Sequence, residues 1–129
     1  MFTPHKGDTA GALPWEQLPA AAGTYKAGQL LNVTGGKLAA ISAASTTTPP
    51  YLCMADITVQ DGDNVPVSRV QKTRVYASQL SAAAAGAVPG TKLQIAEGGL
   101  LVNNAAAGSF EVVSVEGTEE GDTIYGRFL

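Results

Sequence analysis

Gly28-Gln29-Leu30-Leu31-Asn32-Val33-Thr34-Gly35-Gly36-Lys37-Leu38-Ala39-Ala40-Ile41 sets the fold class. A short apolar run, a Thr-Gly-Gly turn and a second short run read as a hairpin. Glycine takes the positive φ of such turns without steric cost, and neither run has helical length. Downstream, residues 42–50 form a Ser/Thr/Ala/Pro loop, and residues 51–55 and 57–59 read as a buried strand region. Asp61-Gly62-Asp63-Asn64 is a tight turn. Residues 65–76 then alternate, with Val65, Val67, Arg69, Gln71 and Thr73 on one side. A slip near Val70 predicts a bulge. One short Ala-rich helix is expected over 77–85, closed by Gly86 with Pro89 beyond it.

The second half echoes the first. Gly28, Leu31, Val33, Gly36 and Leu38 reappear as Gly90, Leu93, Ile95, Gly98 and Leu100, each 62 positions on. Gly62-Asp63-Asn64-Val65 is matched by Gly121-Asp122-Thr123-Ile124, 59 positions on. Two halves are too few for a solenoid. The expectation is therefore mainly β: a small β-barrel or sandwich with pseudo-duplicated halves, ending in a strand over 123–129.

Upstream of the hairpin the composition changes. Residues 1–23 hold Pro4, Pro14 and Pro19 with Gly7, Gly11 and Gly23. Proline fixes φ and donates nothing to a ladder. Apart from one turn over 14–18, no period survives. The reading is an extended N-terminal arm, 1–23, followed by a single β-rich domain, 24–129. Phe2, Leu13, Trp15 and Leu18 are its apolar residues and the candidate contacts to a partner, since a Trp left in water favours docking. Such an arm binds by adding a strand to an exposed sheet edge, and several arms in a ring gain avidity.

With 129 residues the chain has room for one domain. A net charge of −3 gives no general pull toward nucleic acid or an anionic membrane. No apolar run matches a signal peptide or a bilayer span. One Cys forms no intrachain disulfide, and one His with one Cys makes no zinc site. His5 lies in the arm and Cys53 in an apolar strand, so a Cys53–His5 pair requires the arm to fold back. Asp61-Gly62-Asp63-Asn64 lacks the Glu a calcium loop needs, because Lys72 stands in its place. Gly35-Gly36-Lys37 lacks the frame of a phosphate loop. No catalytic, cofactor or metal residues are assigned. Arg69, Lys72 and Arg74 form one basic cluster, read either as a charged strand face that blocks pairing or as a contact to an acidic protein surface. Ala82 and Ala83 suit a close contact between subunits.

The stretch from Ala27 to Leu80 resembles the small head-decoration (capsid cement) proteins of lambda-type tailed phages and related prophage proteins. The elements carrying the likeness run in order. They are Ala27-Gly28-Gln29-Leu30-Leu31, then the turn with Lys37-Leu38-Ala39-Ala40, then the apolar strand 51–55. The alternating strand 65–70 follows, and last comes Thr73-Arg74-Val75-Tyr76-Ala77-Ser78-Gln79-Leu80. The resemblance implies a non-enzymatic virion protein without cofactor, made in a bacterial host cytoplasm. It implies a homotrimer on the outer surface of the head, clamping neighbouring major capsid subunits against internal DNA pressure. The arm preceding the core fits that role. The sequence departs from the lambda pattern in its longer second half, residues 90–129. Two other readings are a head-fibre or tail component and an enzyme using Cys53 as nucleophile.

Overall fold

The computed structural model describes residues 1–6, 15–104 and 107–129. Regular structure among them is β only: β1 (Thr3–Lys6), β2 (Glu16–Pro19), β3 (Gly23–Tyr25), β4 (Leu30–Thr34), β5 (Lys37–Ala40), β6 (Tyr51–Cys53), β7 (Ile57–Val59), β8 (Asn64–Arg69), β9 (Val75–Gln79), β10 (Lys92–Ile95), β11 (Val102–Asn104), β12 (Phe110–Val115) and β13 (Thr123–Phe128). They form three antiparallel sheets. A five-stranded sheet runs β2-β8-β6-β4-β5, a six-stranded sheet runs β1-β9-β13-β12-β10-β11, and β3 pairs with β7. No sheet closes into a barrel; Ala20, just after β2, bridges in parallel to Leu38 of β5.

The weak sequence repeat is a repeat of structure. With β1 set aside, β9-β13-β12-β10-β11 has the same order as β2-β8-β6-β4-β5. The registers match as well. Tyr51, Leu52 and Cys53 face Arg69, Ser68 and Val67, as Phe110, Glu111 and Val112 face Phe128, Arg127 and Gly126. Leu80 meets Val102 in the bridge that mirrors Ala20 and Leu38, so the structural counterpart of Leu38 is Val102 and not Leu100, the turn of the second half being two residues longer. Loop hydrogen bonds recur too. Lys26 N–H donates to Gln29 Oε1 at 3.0 Å, and Val88 N–H to Thr91 Oγ1 at 3.1 Å. Gln60 N–H donates to Asp63 Oδ2 at 3.1 Å, and Glu119 N–H to Asp122 Oδ2 at 3.0 Å. Side-chain acceptors at such turns replace main-chain partners, so the backbone path is fixed twice by the same local chemistry.

Two cores follow from the alternation of the strands. Leu31, Leu38, Cys53, Val65 and Val67 line the inside of the five-stranded sheet, closed at one end by Tyr25. Leu30 and Leu52 point the other way, into the larger core of the second half, which Leu93, Ile95, Phe110, Ile124 and Phe128 fill. Successive strand residues alternate faces, so the first half presents apolar side chains on both.

Three expectations are corrected. Residues 77–85 form no helix. Val75–Gln79 is a strand held between β1 and β13, and the alanines after it lie in turns. Their backbone bonds go across the fold: Ser81 N–H to Val102 O at 2.9 Å and Ala84 N–H to Thr118 O at 2.8 Å. Alanine favours a helix only weakly, and tertiary hydrogen bonding with Val75 and Tyr76 in the core outweighs it. Next, the described parts of the expected arm are built into the body. Thr3–Lys6 is the edge strand of one sheet, Glu16–Pro19 of another, and Phe2 is only 1% exposed. Finally, the slip near Val70 is a break between β8 and β9 and not a bulge; ladder irregularities occur at Pro4/Lys6 and Val112/Ser114 instead.

Candidate functional site

Pro66 has no N–H, and its carbonyl accepts from Met54 N–H at 3.0 Å. Its main chain thus faces β6, so the neighbouring Val65 and Val67 turn theirs toward Leu18 and Glu16 of β2. By the same alternation Gln17, and Trp15 just before the strand, direct their peptide groups outward. Pro19 has no N–H to offer and ends that outer row. Apart from the bridge of Ala20 to Leu38 at its far end, no strand among the described residues pairs with this side of β2. Trp15 beside it is 59% exposed. Leu18 is half-buried against the small core.

At the same end of the sheet lies the basic cluster. Tyr51 and Arg69 are cross-strand partners, with the Arg69 guanidinium 5.5 Å from the centre of the Tyr51 ring and Nη2 donating to Tyr51 Oη at 3.2 Å. A cation over an aromatic face is held in one orientation. Lys72 and Arg74 sit on the connection into β9; Lys72 is exposed, and Arg74 Nε donates to Gln71 Oε1 at 3.0 Å. None of these three cations has a carboxylate within 4.0 Å among the described residues, where the one ion pair is Lys37–Asp61 at 2.7 Å. Glu16, opposite Val67 on β2, is the acid at this end of the sheet, and it makes no ion pair with them.

The remaining sequence-based candidates disperse. Phe2 packs into the large core, its ring 5.6 Å from Phe110 and 5.7 Å from Phe128, so it is not displayed to a partner. Leu13 lies outside the described residues. Ala82 and Ala83 are exposed on the turn after β9, while Ala84 is the buried one. The structure therefore brings Trp15, Leu18 and Arg69 to one sheet and leaves Phe2, Ala82 and Ala83 elsewhere. Gln17 and Tyr51 belong to the site but carried no signal in sequence, since their place depends on strand register. No family model matches this chain, and no curated protein matches it either.

Cys53 is buried, and its Sγ donates to Ala55 O at 3.1 Å. Burial pushes its thiol pKa up, the reverse of what a nucleophilic thiolate needs. His5 is exposed and packs at a tilt against Tyr125, ring centres 4.6 Å apart. No group of three His, Cys, Asp or Glu residues placed to share a metal ion occurs among the described residues. No helix there is long and apolar enough to cross a membrane. Two open clefts flank the first residues. One, of about 180 Å³, is apolar and lies between Pro4 and Met54. The other, of about 390 Å³, lies between Lys26 and Leu101. Asp56 on its rim is occupied, accepting from Ala27 N–H at 2.8 Å.

Proposed function

We propose that this chain is a phage or prophage capsid decoration protein. As a trimer it binds the outer surface of the head shell and stabilises it by tying neighbouring major capsid subunits together. The observation carrying this reading is an exposed Trp15 beside an outward-facing strand edge, on a body whose other large aromatics are mostly committed to packing. An aromatic anchor next to free main-chain groups suits strand addition, where hydrogen bonds give affinity and a pocketed side chain gives specificity. The order of elements over Ala27–Leu80 adds the likeness to decoration proteins. Phe2 packs into the body and Thr3–Lys6 pair with β9, so among the described residues the contact assigned to the shell is Trp15 with the adjoining edge of β2.

The test uses purified heads of the phage that encodes this chain, stripped of it. Re-added full-length protein is expected to bind saturably and to raise the temperature at which heads release DNA. Trp15→Ala is expected to weaken binding by roughly tenfold or more, the scale of a buried aromatic hot spot. A label on the bound protein is expected on heads and not on tails. Absence of binding to heads, or a label on tails, overturns the reading.

A further inference from the structure

The internal duplication assigns an occupant to the open edge of β2. In the second half the matching strand is β9, and its outer edge is taken by β1, with Thr3 opposite Ala77, Pro4 opposite Tyr76 and Lys6 opposite Val75. Strand registers carry Ala77, Tyr76 and Val75 onto Gln17, Glu16 and Trp15, because Gly126 pairs with Tyr76 as Val67 pairs with Glu16. The same main-chain surface is thus built twice, and in one copy the fold itself shows what fits it: an extended antiparallel strand.

The side chains at the second site differ, and the difference selects the partner. Phe2 ahead of β1 rests on Phe110 and Phe128. Their counterparts are Tyr51 and Arg69. A residue arriving where Phe2 sits in the other half meets a tyrosine hydroxyl and a guanidinium in place of two phenyl rings. A carboxylate satisfies both, accepting from each, and Lys72 and Arg74 add positive potential at that corner. We infer that β2 together with Tyr51 and Arg69 is a docking site for an extended acidic segment of a partner protein, added antiparallel to β2 in the register β1 uses on β9. The inference rests on the decoration reading only for the partner's identity, which is then a shell subunit.

The test is NMR titration of isotope-labelled full-length protein with an extended acidic peptide, Glu-Thr-Val-Thr-Val-Glu, and with the same peptide carrying Lys at both ends. The acidic peptide is expected to shift the amides of Trp15, Gln17 and Arg69 and to slow exchange of the Gln17 amide. The Lys peptide and the Arg69→Glu variant are expected to show binding weaker by roughly tenfold. Gln17→Pro, which removes an outward donor, is expected to weaken the acidic peptide similarly. Equal response to both peptides overturns the site. So does a Gln17 amide already protected in the free chain, which means the chain's own residues cover the edge. Because the peptide stands in for any partner, failure here leaves the head-binding result intact, and failure on heads leaves this one intact.

Discussion

Phe110 has the room it occupies because Gly126 carries no side chain. A Cβ at Gly126 would stand 2.6 Å from the Phe110 ring and 2.6 Å from the Glu111 carbonyl, both too close. The counterpart of Gly126 in the first half is Val67, and that of Phe110 is the partly exposed Tyr51. The two halves therefore divide the same volume differently. Gly126→Ala is expected to destabilise by roughly 1–3 kcal/mol through overpacking, read from urea denaturation. Phe2→Ala, which empties the space against Phe110 and Phe128, is expected to cost roughly 3–5 kcal/mol by the same measurement. Three buried acids weaken the fold on the alkaline side. Burial raises Cys53 above its ordinary 9.0, and burial raises Tyr25 and Tyr76 above their ordinary 10.0. The folded chain holds these protons more tightly than the unfolded chain does. Their contribution is thus complete below pH 9 and is lost as pH rises through 9 and 10 and then the raised folded values. Stability measured against pH should fall on the alkaline side, and Cys53→Ala should remove the earliest part of the fall.

At the scale of elements, the strand that begins the chain is the one whose place matters most. β1 covers the edge of β9, and Phe2 N–H donates to Gly28 O at 2.8 Å, tying the second-half sheet to the first half. Removing residues 1–6 is therefore expected to lower the unfolding midpoint sharply, where an unattached arm would leave it unchanged. Amide exchange at Thr3 should be slow, since Thr3 faces Ala77 inside the ladder. Residues 81–89 supply turns and cross-fold hydrogen bonds. The far-UV circular dichroism spectrum is accordingly expected to show a single β-type minimum without the paired minima of a helix.

The whole molecule unfolds as one unit if its two halves share a core, and Leu30 and Leu52 are the reason they do. Both lie in strands of the first sheet and belong to the larger core of the second half. The same positions in the second half are Lys92 and Glu111, which pair with each other on the outer face. The halves are equal in topology and unequal in chemistry: one offers an apolar back, the other a polar one. A polar outer face disfavours stacking a further unit there, as the capping repeats of longer arrays do. Leu52→Ala is expected to destabilise by roughly 2–5 kcal/mol and to speed amide exchange in β6 and β12 together. Separate transitions for the two halves contradict the shared core.

Much of this was written locally. Glycines at 28, 36, 62, 90, 98 and 121 take positive φ in turns, and the apolar runs between them alternate, so the β class and the duplication followed from spacing alone. The exposed Trp15 and the basic Arg69 also stood out as residues. The fate of Phe2, the strand in place of the alanine helix and the meeting of Tyr51 with Arg69 did not. Each depends on groups dozens of positions away: Phe110 and Phe128 for Phe2, β1 and β13 for residues 75–79, the register of β6 on β8 for the Tyr51–Arg69 pair. Local backbone preference is worth tenths of a kcal/mol per residue, whereas burying an aromatic side chain is worth roughly 1.5–3 kcal/mol, so where the two compete the tertiary partner decides.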